Sequence, residues 1–162
     1  MDALQGLRML ALSEALQVPL GSHTLIAVAV RAVLDGVDSA SLLLLAGLSR
    51  REESDARDLF HDVVAELGLE PAEPIDSPLN RWELVRWWCE QITGGELEPE
   101  IGGRLIWFHG WIKLGHPSAL QPIVLAVTEG EGRARPWADE REDPRKRITD
   151  EAALLLKGSW PP

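Results

Sequence analysis

The sequence predicts an all-α fold, a single compact bundle of about seven or eight helices, on three observations. Apolar residues recur at the helical period in nearly every segment, Gly and Pro punctuate the intervals, and Ser, Thr, Asp or Asn stand before the runs as N-terminal caps. The size agrees: a chain of 162 residues, 45% hydrophobic and 26% charged, is one domain's length. Folding at this size hides about 70% of the extended chain's surface, enough for a core without staples.

Residues 3 to 17 place Leu4, Leu7, Leu10 or Ala11, and Ala15 on one stripe, and Pro19 with Gly21 ends that helix. Ser22 can cap a second helix to Leu34, with Asp35-Gly36 as its left-handed stop. Asp38 or Ser39 starts a short helix through Leu45, closed by Gly47. Ser49-Arg50-Arg51-Glu52 reads as a capping box, in which Ser49 and Glu52 satisfy each other's backbone N–H. The helix it opens runs to Leu67 and stops at Gly68, with Ala56, Leu59, Phe60, Val63, Val64 and Leu67 on one face.

Residues 69–77, rich in proline at their start, form a linker between two helical halves, 1–68 and 78–128. Asp76 or Ser77 before Pro78, and Asn80 with Glu83, offer caps for a helix to Ile92, stopped by Gly94-Gly95. Pro99 begins a helix from Glu100 to Leu114, and Pro117 another to Thr128 in which Pro122 is acceptable only near the first turn. Residues 129–148 read as a charged loop, and Thr149 caps a last helix within 149–158. Two stacked helical halves are the alternative arrangement, although no fixed-period repeat is evident.

Charge is unevenly placed. Residues 1–77 hold 13 acids and 5 bases, residues 78–127 hold 5 and 4, and residues 128–162 hold 8 and 7. An acidic field repels phosphate backbones and anionic headgroups, so the expected partner is a basic protein rather than nucleic acid or membrane. The same charge also serves solubility. The longest weakly polar run, Thr24 to Leu34, carries Arg31 and is 11 residues, well short of the ~20 needed to cross a bilayer. One cysteine, Cys89, and no leader pattern point to a reducing cytoplasm.

A first block of residues, Gly36, Asp38-Ser39, Leu45-Ala46-Gly47-Leu48, Asp55-Ala56-Arg57-Asp58-Leu59-Phe60 and Glu66-Leu67-Gly68-Leu69, goes with a second. The second is Trp82, Arg86-Trp87-Trp88, Ile92, Gly95, Leu97, Pro99, Gly102, Ile106-Trp107 and Trp111. Together, over roughly residues 35 to 125, they resemble short all-helical proteins of GC-rich bacteria to which no activity is attached. Such proteins often look like toxin-neutralising immunity proteins or regulatory adaptors. The resemblance implies no site residues.

On the helix opened by Ser49, Asp55, Asp58, Asp62 and Glu66 fall opposite Phe60, Val64 and Leu67. Four carboxylates in a row disfavour a helix slightly unless a cationic partner meets them. They form either a docking strip for Lys and Arg or a solvated face. His61 beside Asp58 and Asp62 lacks the second ligand pair that a metal site needs, so neither metal nor cofactor is expected.

Seven Trp stand against two Phe and no Tyr. Trp82 and Trp88 are expected on the Val85 to Ile92 core face, and Trp111 in the core with Ile101, Leu105, Phe108 and Ile112. Gly103, Ile106 and Gly110 lie opposite Phe108, where another helix could approach closely. Trp87 points away from the core face, among Glu83, Glu90 and Gln91, and is either covered by a neighbour or an interface anchor.

Cys89 is expected as a small core residue, although a Cys89–His109 nucleophilic pair stays open. GGELEPEIGG follows a helix rather than a strand, so it is no nucleotide fingerprint, and no catalytic residue is expected. The reading that emerges is a non-catalytic, immunity-like or adaptor protein that meets a basic partner through Asp55, Asp58, Asp62 and Glu66, with Trp87 as a second contact. The rival is a small-molecule or metal-dependent enzyme using His109, Cys89 or Glu90 between the tryptophan-rich helices. A self-associating homo-oligomer is the third.

Overall fold

The computed structural model describes residues 2–49, 52–131 and 143–162. The protein is all-helical, and no strand occurs among the described residues. The chain divides into two compact units, Met1–Asp76 and Ser77–Pro162.

The first unit holds α1 (Ala3–Ala15), α2 (Ser22–Leu34), α3 (Ala40–Ala46) and α4 (Glu53–Leu67). Consecutive helices pack on one another, and α4 also closes against α1 and α2. The core is made of Leu7, Leu10, Leu25, Leu42, Leu45, Phe60 and Val63, all essentially inaccessible. Local chemistry sets the ends. The Ser39 hydroxyl accepts from Leu42 N–H at 3.2 Å to cap α3, and Gly68 takes the left-handed conformation, φ 64°, that lets α4 stop there.

The start of α4 differs from the capping-box expectation. The Glu52 carboxylate does accept the Ser49 N–H at 3.1 Å, but the helix begins at Glu53, and the Ser49 hydroxyl sits 3.4 Å from that same carboxylate. Only the carboxylate half of the box forms, because Glu52 N–H bonds to Ser49 C=O at 3.2 Å and not to the Ser49 hydroxyl.

The second unit holds α5 (Pro78–Thr93), α6 (Pro99–Leu105) running into a π-helical segment (Ile106–Trp111), a 3₁₀ turn (Ser118–Leu120), α7 (Gln121–Glu131) and α8 (Pro144–Lys157). The 3₁₀ turn leads into α7, which places Pro122 in the first turn, where its missing N–H costs nothing. Ser77 caps α5, its hydroxyl accepting from Asn80 N–H at 3.2 Å with Pro78 at the first helical position.

α8 starts five residues before the expected Thr149 cap. Asp143 is the N-cap, accepting from Arg145 N–H at 3.0 Å, and Thr149 lies inside the helix with its hydroxyl on Arg145 C=O at 3.0 Å. Asp143-Pro144 repeats the Ser77-Pro78 pattern of a capping side chain followed by a first-position proline, which the charged surroundings obscured. Residues 132–142 of the expected loop lie outside the described residues.

The helix beginning at Pro99 is turned round relative to expectation. Its buried side is Gly102, Gly103, Ile106 and Gly110, whereas Ile101, Phe108 and Ile112 are 50%, 48% and 42% exposed. The reason is close approach. A Cβ on Gly103 would stand 2.5 Å from Val127 Cγ2 and one on Gly110 2.7 Å from Val85 Cγ2, so α7 and α5 press directly on a face without side chains. The π segment, with Ile112 N–H bonded back to Trp107 C=O at 3.0 Å, takes up an extra residue and changes which carbonyls find N–H partners. One of them, His109 C=O, accepts from Nη1 of the buried Arg81 at 3.0 Å.

Candidate functional site

The expected docking helix, α4, carries five acids against a single Arg57 over Glu53–Leu67. Its inner face is built on Ala56, Phe60 and Val63, which directs Asp55, Asp58 and Asp62 to solvent. Among the described residues no cation pairs with any of the three.

Glu66, the fourth member, has a different job. Its carboxylate accepts from the hydroxyls of Ser39 and Ser41, the latter at 2.5 Å, and from Ser41 N–H at 3.2 Å. It thereby fastens the end of α4 to the start of α3, satisfying donors that a helix N-terminus leaves open. The Ser39 hydroxyl first, then the Ser41 hydroxyl and N–H, hold this carboxyl below its ordinary value of 4.5. Asp55, Asp58, Asp62 and Glu66 are all exposed, and Glu66 differs from the other three in being hydrogen-bonded to the start of α3.

This has a pH signature. A carboxylate with a lowered folded-state pKa contributes stability that is present above its ordinary value and is lost as pH falls through the lowered one. Wild-type protein should therefore melt higher than Glu66→Gln at neutral pH, and the difference should shrink on acidification below about pH 4.5. A difference that does not change with pH would remove the cap from the account.

His61 is on the same helix but pairs with Glu14 of α1 at 2.5 Å, a bond across the unit rather than a metal ligand. Among the described residues no group of three or more His, Cys, Asp or Glu side chains is placed to hold a metal ion. Trp87, expected on an outward face, is 8% exposed and cannot serve as an exposed anchor. α5 is packed by α8, α6 and the π segment together, so its polar stripe is too narrow to leave an indole outside.

The groups of the rival enzyme reading are also located. Cys89 is a buried free cysteine whose thiol is pushed up to about 12, by burial first and by the Glu90 charge second. A thiol held protonated in that way is not a nucleophile at neutral pH. His109, half-buried with its ring 6.5 Å from that of Trp88, is lowered by burial first and then by the charges of Arg81 and Lys113. Two cavities stand out, one of about 180 Å³ beside Arg104, Glu131 and Ile148 and one of about 220 Å³ beside Glu14, Val18 and Arg57. Neither is lined by His109, Cys89 or Glu90, and both are smaller than the roughly 300 Å³ at which small-molecule sites begin.

What the sequence reasoning missed is the exposed apolar side of the helix from Pro99. The signal was present in the spacing of Gly103, Ile106 and Gly110, which marks a face of close approach and so implies that the bulkier side faces out. No protein-family model matches the chain, and neither a curated protein nor a solved structure matches it. Among the described residues no helix is long and apolar enough to cross a membrane.

Proposed function

We propose that the chain is a non-catalytic protein-binding module of the immunity-like or regulatory-adaptor kind, working in the cytoplasm, which covers a basic partner surface with the outer face of α4. The observation that carries this reading is the row Asp55, Asp58 and Asp62, exposed and without cationic partners among the described residues. Unmatched charges of one sign on a rigid helix cost the protein a few tenths of a kcal/mol in mutual repulsion. They become favourable when Lys and Arg side chains of a partner face them, where they guide encounter and set specificity.

Local net charge supports the same reading. The unit that carries α4 holds 13 acids and 5 bases over residues 1–76, a net of −8. The enzyme reading has less behind it, because the Cys89 thiol is protonated and enclosed and the two cavities lie away from His109. The test is capture from native lysate with immobilised wild-type protein and with Asp55→Lys/Asp58→Lys/Asp62→Lys. A basic protein retained by the first at low salt, released by added salt and absent from the second is the expected outcome. Equal capture by both chains would refute the proposal.

A further inference from the structure

The outward side of the helix from Pro99 carries Ile101, Phe108 and Ile112 exposed, Leu105 half-buried between them, and Trp107 stacked on Phe108 with centroids 4.7 Å apart at 15°. We propose that this side is a self-association surface on which a second copy of the chain packs its own Ile101–Ile112 stripe, antiparallel and about a two-fold axis. Three observations favour a second copy over an unrelated partner.

The stripe is the same read from either end. Its intervals are four, three and four residues, so an antiparallel copy sets Ile101 against Ile112 of the second copy and Leu105 against Phe108 of the second copy. A two-fold contact demands that self-complementarity, and Ile101, Phe108 and Ile112 supply exposed apolar surface for it along α6 and the π segment. Arg104, within the stripe, is drawn aside by its 2.8 Å bond to Glu131.

The ends of the stripe carry opposite charges. Glu98 precedes it, near enough to Arg145 for their charges to interact, and Lys113 follows it, exposed and without an ion-pair partner among the described residues. Antiparallel pairing brings each toward the other's counterpart. The third observation is net charge. Residues 77–162 hold 13 acids and 11 bases, a net of −2, against −8 for residues 1–76. The exposed leucines of the first unit, Leu34, Leu43 and Leu44, could meet their own copies only by bringing two strongly negative units together.

Sedimentation velocity of the full chain from about 1 to 200 μM tests this over the range in which modest dimers form. A dimer that grows with concentration is expected in the wild type, and Phe108→Glu should be monomeric throughout with unchanged helicity by circular dichroism. Lys113→Glu should weaken the dimer about tenfold, and adding Glu98→Lys to that variant should restore it, a rescue that a merely misfolded surface would not give. Leu43→Glu should leave the dimer unaltered. A wild type that is monomeric over the whole range overturns the proposal, as does a dimer indifferent to Phe108→Glu and to the charge exchange, or one abolished by Leu43→Glu.

Discussion

Phe60→Ala should destabilise the protein by about 3–5 kcal/mol, the largest loss expected from any single truncation in the N-terminal unit. Phe60 is 1% exposed and is the largest of the fully buried side chains. It sits on α4, the helix that packs against α1, α2 and α3. Removing the ring forfeits its transfer from water and leaves a cavity that four short helices cannot close without moving their shared contacts. Since whole domains are stable by only about 5–15 kcal/mol, urea melts should show a much earlier midpoint. A shift of less than about 1 kcal/mol would mean that α4 is not seated as described, and the outward direction of Asp55, Asp58 and Asp62 would lose its basis.

Gly103→Ala should cost about 1–3 kcal/mol, although alanine is the better helix former by about 1 kcal/mol. The added methyl would meet Val127 Cγ2 at 2.5 Å, with Ile148 Cδ1 at 3.4 Å behind it. Both neighbours are buried side chains on packed helices, so neither yields freely. A double-mutant cycle separates crowding from propensity. Val127→Ala alone should destabilise by opening a void, whereas Val127→Ala in the Gly103→Ala background should recover part of the loss, giving a coupling energy of about 1 kcal/mol or more. Strictly additive losses would show that the glycine face is not where α7 comes close.

The elements legible in the sequence are those fixed by neighbours in the chain. Ser39 before α3, Ser77-Pro78 before α5 and Gly68 after α4 act within one turn of themselves, and the structure places each of them at a helix end. Glu66 is exposed as its spacing predicts, but its second role as a cap was not legible, for the opposite reason. Its spacing from Asp62 puts it on the acidic row, but its hydrogen-bond partners stand 25 and 27 residues away, on α3 and at its N-cap, and nothing within α4 reveals them.

The helix from Pro99 failed in the same way. Counting apolar residues makes the side of Ile101, Phe108 and Ile112 the inner one, yet the side that packs is decided by what approaches it. Val85, Ile92 and Val127 come from other helices, and each fits only where a glycine leaves room. Trp87 shows how a helix enclosed by several neighbours overrides its own polar pattern. In each case the fold class survives the error, because helices form from local period and caps, while the identity of the exposed faces depends on partners distant in sequence.

The outer face of α4 is proposed to meet a basic protein through charge. The measurement that bears on it most directly is the association rate of the captured partner, by stopped flow, across a series of ionic strengths for wild type and for Asp55→Lys/Asp58→Lys/Asp62→Lys. Exposed charges act chiefly on encounter, so the wild-type rate should fall steeply, by about tenfold or more, as salt rises from low to physiological and above. The triple variant should begin slow and depend on salt weakly or in the opposite sense, with its helicity and melting temperature close to wild type. Wild-type and variant rates that coincide at every ionic strength would contradict the account, and α4 would present to solvent only a hydrated surface.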